Sequence, residues 1–187
     1  MVRYNASAFG LNASRIGFTG SSAGGHLTAH ISSAWHTRYY SRIDAADDVS
    51  CRPDFAIQMY PWNLLPDNKP PAWGSAYSLA SELANITKDH PPTAFIHNAD
   101  DTTAPPQGTL TYAGKLLSVG APKPSTHIFN KGGHGFGLCQ TYPAWLEVCD
   151  WPKAVQRFLQ DHGLARGWPD EKPGAGWPKQ MITQNCG

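Results

Sequence analysis

Ser22, the Asp100-Asp101 pair and His134 are the residues whose types and order suit nucleophilic chemistry. Ser22 stands at the centre of Gly20-Ser21-Ser22-Ala23-Gly24, a G-x-S-x-G arrangement. The apolar run Ile16-Gly17-Phe18-Thr19 precedes it, and Leu27 and Ile31 follow at the four-residue spacing of a helical face. A strand that turns sharply into a helix forces its apex residue to positive φ. Holding a non-glycine residue there costs about 1–3 kcal/mol, which is tolerated mostly where function needs it. The apex side chain then points out of the fold, and glycines two positions to either side avoid Cβ collisions. This is the expected geometry of a nucleophile elbow.

A serine hydroxyl is a weak nucleophile until a base removes its proton. Neutral imidazole suits that task because it titrates at about pH 6.5. A carboxylate on the second imidazole nitrogen fixes the tautomer and stabilises the cation that forms. Both partners follow Ser22 in the order acid, then histidine. Asp100 and Asp101 come directly after the apolar segment Thr93–His97. His134 sits in Gly132-Gly133-His134-Gly135-Phe136-Gly137, a segment able to bend sharply.

These side chains need elements to position them. Ile16–Thr19, Phe55–Tyr60 (ended by Pro61), Thr93–His97 and Ser125–Phe129 read as four short buried strands. Helices are expected from Ala23, over Leu79–Ile86, over Leu110–Val119 (stopped at Gly120) and over Trp145–Leu159, the last being the clearest amphipathic pattern. The segment from Ser41 to Pro53 is polar, and the tail from Gly167 is rich in Gly, Pro and Trp and expected to be irregular. Strands alternating with helices imply a parallel sheet covered on both faces, in one α/β domain spanning residues 1–187. Catalytic groups of such sheets lie beyond the carboxyl ends of the strands, where Ser22, the aspartate pair and His134 all fall.

Other chemistries find little support. A P-loop requires Gly-Lys-Ser/Thr, and Gly17, Gly20 and Gly24 do not have the spacing of a dinucleotide fingerprint. The formal net charge is +1 and no basic run occurs, which argues against nucleic acid or an anionic membrane as partner. No apolar run approaches the roughly 18–20 residues of a membrane span. Met1–Asn5 lacks the apolar stretch of a secretory leader, so the chain as written reads as cytoplasmic. Cys51, Cys139, Cys149 and Cys186 form no C-x-x-C pair, and Cys139 can bridge Cys149 only in an oxidising compartment. His26 and His30 lie four apart, but Leu27 occupies the position where a zinc-protease motif has Glu. They read as ordinary helix residues, and no metal or cofactor is expected.

Three segments, GSSAGGHL from Gly20, HNADDTTAPP from His97 and GGHGFGL from Gly132, resemble the α/β-hydrolase family. Within it they are most similar to small carbohydrate-esterase-like and prolyl-oligopeptidase-like esterases. The likeness runs from about Arg15 to about Leu159. Relatives place the acid in a D-x-x-x-P arrangement, which selects Asp101 with Pro105 and leaves Asp100 as the fallback. The resemblance implies a triad of Ser22, His134 and Asp101, with the Ala23 amide as one oxyanion donor. It also implies a loop resembling H-G-G-G, after an early strand, as the second donor; only about fourteen residues precede the elbow strand here. The expectation is therefore a truncated α/β-hydrolase fold of about four mainly parallel strands.

The implied activity is hydrolysis of short-chain acyl, acetyl or feruloyl-type esters, slowed by the missing donor. A catalytically weak or inactive fragment that acts only in association is the alternative, and a serine peptidase the third reading. Tyr60, Trp62 and Phe136 follow strand ends and line an acyl or aromatic pocket, although packing explains each as well. With no neighbour for its edge, the elbow strand invites pairing with a second copy in a homodimer or higher oligomer. The tail folding back over a monomer is the competing solution.

Overall fold

The computed structural model describes residues 1–64, 85–143 and 145–165. Four strands, β1 (Phe18–Ser21), β2 (Ala56–Met59), β3 (Thr93–Asn98) and β4 (Ser125–Phe129), form one sheet in that order. Every neighbouring pair is parallel, with Phe18 opposite Ala56, Ile57 opposite Ala94 and Ile96 opposite His127. The helices are α1 (Ala23–Ala34), α2 (Gln107–Ser118) and α3 (Trp151–Asp161), with short 3-10 turns at Ala45–Asp48 and Glu147–Asp150. The helix expected over Leu79–Ile86 falls, but for its last two residues, outside the described residues, as does the tail from Gly167.

Helices α1 and α2 cover one face, where Ala29, Phe95, Tyr112 and Leu116 pack together. Helix α3 covers the other, with Val155 and Phe158 against Ile57, Met59, Ala94 and Ile96. β2 and β3 are buried along their whole length, whereas β1 is an edge strand and Phe18 is 43% exposed. The N-terminal segment is tied beside that edge. Arg3 pairs with Asp54 at 2.9 Å, and the other contact of the same carboxylate oxygen is the Ile16 amide at 2.8 Å.

Three boundaries differ from the sequence pattern for identifiable reasons. β1 begins at Phe18 because Ile16 is bonded to the Asp54 side chain and amide before the ladder starts. α2 begins earlier than expected because Pro106 caps it at φ −65°, already helical. α3 begins only at Trp151, next to Pro152, after the 3-10 turn. The expected apolar face of α1 is also reversed. Leu27 is 59% exposed, while the small residues Gly25, Thr28, Ala29 and Ser32 turn to the sheet. Small residues let the helix axis approach closely enough for the turn at Ser22 to close.

A polar pin crosses this core at the entry to β3. The His90 imidazole, 1% exposed, donates from Nδ1 to the Pro91 carbonyl at 2.8 Å. Its Nε2 accepts from the Tyr112 hydroxyl at 2.9 Å, which also reaches the Ala29 carbonyl of α1 at 3.2 Å. Burial pushes His90 down from 6.5 to about 4, so it is neutral in the folded chain at neutral pH. The unfolded chain binds a proton there between those values and the folded chain does not. Stability from this group is therefore complete above pH 6.5 and is lost as pH falls toward 4. Thermal melts from pH 7 to pH 4 should show a decline of up to about 1.4 kcal/mol per pH unit, flattened in His90→Gln. An unchanged slope in that variant would assign the acid sensitivity elsewhere.

Candidate active site

The turn from β1 into α1 holds Ser22 at φ 53° and ψ −117°. Backbone bonds fix this strained apex from both sides. The Ser22 amide donates to the Met59 carbonyl at 3.0 Å, and its carbonyl accepts from the Trp62 amide at 3.0 Å. The end of β2 thus clamps the serine. The glycines around it have unequal roles. A Cβ on Gly20 would run into the Gly24 carbonyl, and one on Gly25 would lie 2.7 Å from the Pro61 Cα. A Cβ on Gly24 would meet nothing within 4 Å. The close approach that the five-residue motif assigns to Gly24 belongs to Gly25.

The Ser22 hydroxyl lies 2.8 Å from His134 Nε2, and His134 Nδ1 lies 2.7 Å from Asp101 Oδ2. These bonds join the ends of β1 and β3 to the loop after β4. The Asp101 side chain has no solvent exposure, and that of His134 is 20% exposed. Asp101 Oδ1 accepts from the Thr103 and Ala104 amides at 2.9 and 2.8 Å, so the loop before α2 wraps its own carboxylate. Burial works to raise the Asp101 pKa. Hydrogen bonds from His134, His97 and the Ala104 amide outweigh it and hold the carboxyl well below the usual range. Asp101 is therefore anionic and positioned to orient the imidazole with its proton on Nδ1. That leaves Nε2 free to accept from Ser22. Ala23 is the first residue of α1, where the amide has no intrahelical acceptor and faces developing negative charge favourably.

Asp100 turns away from the imidazole. Its two oxygens accept from the Gly133 amide at 2.8 Å and the Gly132 amide at 3.3 Å, while Asn98 donates to the Gly133 carbonyl at 2.9 Å. The adjacent aspartates divide the work, one holding the backbone before His134 and the other its ring. Beyond the histidine, a disulfide joins Cys139 to Cys149, with Cα atoms 5.5 Å apart. Tyr60, at φ 35°, packs edge-on to His134 with centroids 4.9 Å apart and to Phe136 at 4.5 Å. Tyr60 and Phe136 are buried in the α3-side core, which leaves Trp62, partly exposed beside His26, as the ring with free surface. Among the described residues no group of three or more His, Cys, Asp or Glu side chains is arranged to hold a metal ion.

Two contacts were not legible from motifs. His97 shares the Asp101 carboxylate, and its i,i+4 spacing from Asp101 resembles that of any buried strand histidine. Asp100 read as the fallback acid because spacing cannot show which of two neighbours faces inward.

The family model for the prolyl oligopeptidase family (peptidase S9) matches residues 1–155. This chain belongs to that family. It is 25% identical, over 97% of its length and 41% of the relative's, to an acetylxylan esterase of Xylanibacter ruminicola. Among solved structures it matches an acetyl ester-xyloside bifunctional hydrolase from Caldicellulosiruptor lactoaceticus at 28% identity and a TM-score of 0.76. That match covers 88% of this chain and 63% of the other. A thermophilic esterase from Thermogutta terrifontis, solved with propionate, matches at 21% identity and a TM-score of 0.70, covering 90% and 63%. The fold is that of the α/β hydrolases. The chain thus spans about two fifths to just under two thirds of the length of these relatives.

The elbow geometry makes a specific expectation of the glycines. Gly20→Ala should abolish folding or lower Tm severely. Gly24→Ala, in open space inside a helix, should raise stability by about 0.5–1 kcal/mol. Thermal melts of the two variants check this, and equal damage from both would refute the close-approach argument.

Proposed function

We propose that this chain hydrolyses carboxylic esters through an acyl-enzyme on Ser22. The observation that carries this reading is the unbroken hydrogen-bonded row Ser22–His134–Asp101, with the serine held at positive φ on a strand-to-helix turn. Ser22 Oγ attacks the ester carbonyl as its proton passes to His134 Nε2. The anionic oxygen of the tetrahedral intermediate points to the Ala23 amide. Collapse expels the alcohol, which takes the proton from His134. Water, deprotonated by the same nitrogen, then releases the acid and frees Ser22. Asp101 stays ionised throughout and stabilises the imidazolium.

The substrate class we assign is small acyl esters on carbohydrate, acetyl above all. The half-exposed position of the serine and the names of the acetylxylan esterase and acetyl ester-xyloside hydrolase support it. Each oxyanion donor is typically worth about 10²–10³ in rate, so the Ala23 amide carries a substantial share of the stabilisation in this reading. We further propose that the exposed β1 edge pairs with a second copy.

A fluorophosphonate should label Ser22 and no other serine, and label surviving in Ser22→Ala would sink the assignment. Against p-nitrophenyl acetate, Asp101→Asn should lower kcat by about 10⁴ through the wrong histidine tautomer. Asp100→Asn should cost far less, because one acceptor remains for the Gly133 amide; the reverse ranking would exchange the roles of the two aspartates. Light scattering at micromolar concentration addresses the edge, where a monomer with a cooperative melt excludes the dimer.

A further inference from the structure

We infer that His97 is a positioning residue of this site, holding the Asp101 carboxylate from the side opposite His134 and limiting its pull on the imidazolium. The inference rests on the reading of Ser22, His134 and Asp101 as a catalytic row. His97 is fully buried at the end of β3. Its Nε2 lies 2.7 Å from the Ala104 carbonyl and 3.2 Å from Asp101 Oδ2. Both neighbours are acceptors only, so Nε2 must carry a proton and share it between them. Nδ1 lies 2.8 Å from the Thr109 hydroxyl of α2, which donates to it when the ring is neutral.

This arrangement has two consequences. Oδ2 receives two donors, the His134 and His97 rings, while Oδ1 receives two amides. Donors on both oxygens leave the carboxylate little freedom to rotate away from His134. The donor from His97 also withdraws electron density from the oxygen that bonds His134. Removing it leaves a more basic carboxylate and stabilises the His134 cation. The sign is the same whether His97 is neutral or charged, because in either state it opposes the aspartate's negative charge. The titratable groups facing this row are Ser22 from the elbow, Tyr60 from the end of β2, His97 and Asp101 from β3 and its loop, and His134 itself. Asp100, next in sequence, is bonded to the Gly132 and Gly133 amides.

The test is a pair of amides differing by one methylene. In His97→Gln the side-chain NH₂ reaches the position of Nε2 and keeps the donor to Asp101. In His97→Asn it reaches only the position of Nδ1 and loses it. The acid limb of the kcat/KM–pH profile should move up by about half a pH unit or more in His97→Asn and stay near wild type in His97→Gln. NMR titration of His134 in the same variants should show the same pattern without relying on turnover. Folded variants with equal profiles and titration midpoints would overturn the inference, since a purely structural role moves Tm and not the titration. Should His97→Asn not fold, imidazole ¹⁵N shifts of the wild-type chain decide: a His97 proton on Nδ1 alone refutes it. If fluorophosphonate fails to label Ser22 while the titration shift is present, the catalytic reading fails and the coupling of His97 to His134 stands.

Discussion

The Asp101 carboxylate is a buried charge that receives two loop amides and two imidazoles. An unpaired anion in that position would cost several kcal/mol, so the surrounding loops adopt shapes that bring donors to it. The loop before α2 curls so that Thr103 and Ala104 face inward. The end of β3 presents His97, and the chain after β4 returns far enough to place His134 against Oδ2. The site and this corner of the fold therefore share one electrostatic requirement. Satisfying the charge builds the hydrogen-bonded row Ser22–His134–Asp101, and a change that loosens any donor disturbs both.

Much of this could be read from the chain. The strand segments leading to Ser22, Asp101 and His134 were visible as short apolar runs, and their order agreed with one parallel sheet. Periodicity misplaced the buried face of α1, because the Leu27–Ile31 pair outweighs small residues on any apolarity count. The requirement at that interface is close approach, which favours Gly25, Ala29 and Ser32 and carries no hydrophobic signature. Gly24 and Gly25 show the same limit, since motif spacing locates a turn to within a residue and only the backbone of Pro61 shows which glycine is obligatory. His97 was invisible for a different reason. A histidine in an apolar strand looks alike whether it only ends a strand or touches a buried carboxylate, and the distinction lies in how the loop after β3 turns Asp101 back toward it.

The sheet also distributes its load unevenly. β2 and β3 are sealed on both faces, whereas β1, which leads into Ser22, has an exposed outer edge among the described residues. Both sheet-side bonds of the Ser22 backbone, to the Met59 carbonyl and from the Trp62 amide, come from the end of β2 and the residues just after it. The strained apex therefore depends on β2 and on the segment just after it. That dependence makes the positive φ of Tyr60 part of the same construction, since its amide bonds Ile96 and its ring supports His134.

The Cys139–Cys149 bridge closes a ten-residue separation immediately downstream of the histidine loop. In the chain-entropy view such a loop is worth about 2–3 kcal/mol, placed where the protein must keep a glycine-rich turn in one shape. A thiol reductant in a purification or assay buffer is then a structural variable and not a neutral preservative. Material prepared with dithiothreitol and material prepared without it are two different molecules in the region that carries His134. Comparisons of specific activity between preparations have meaning only when their free-thiol content has been counted.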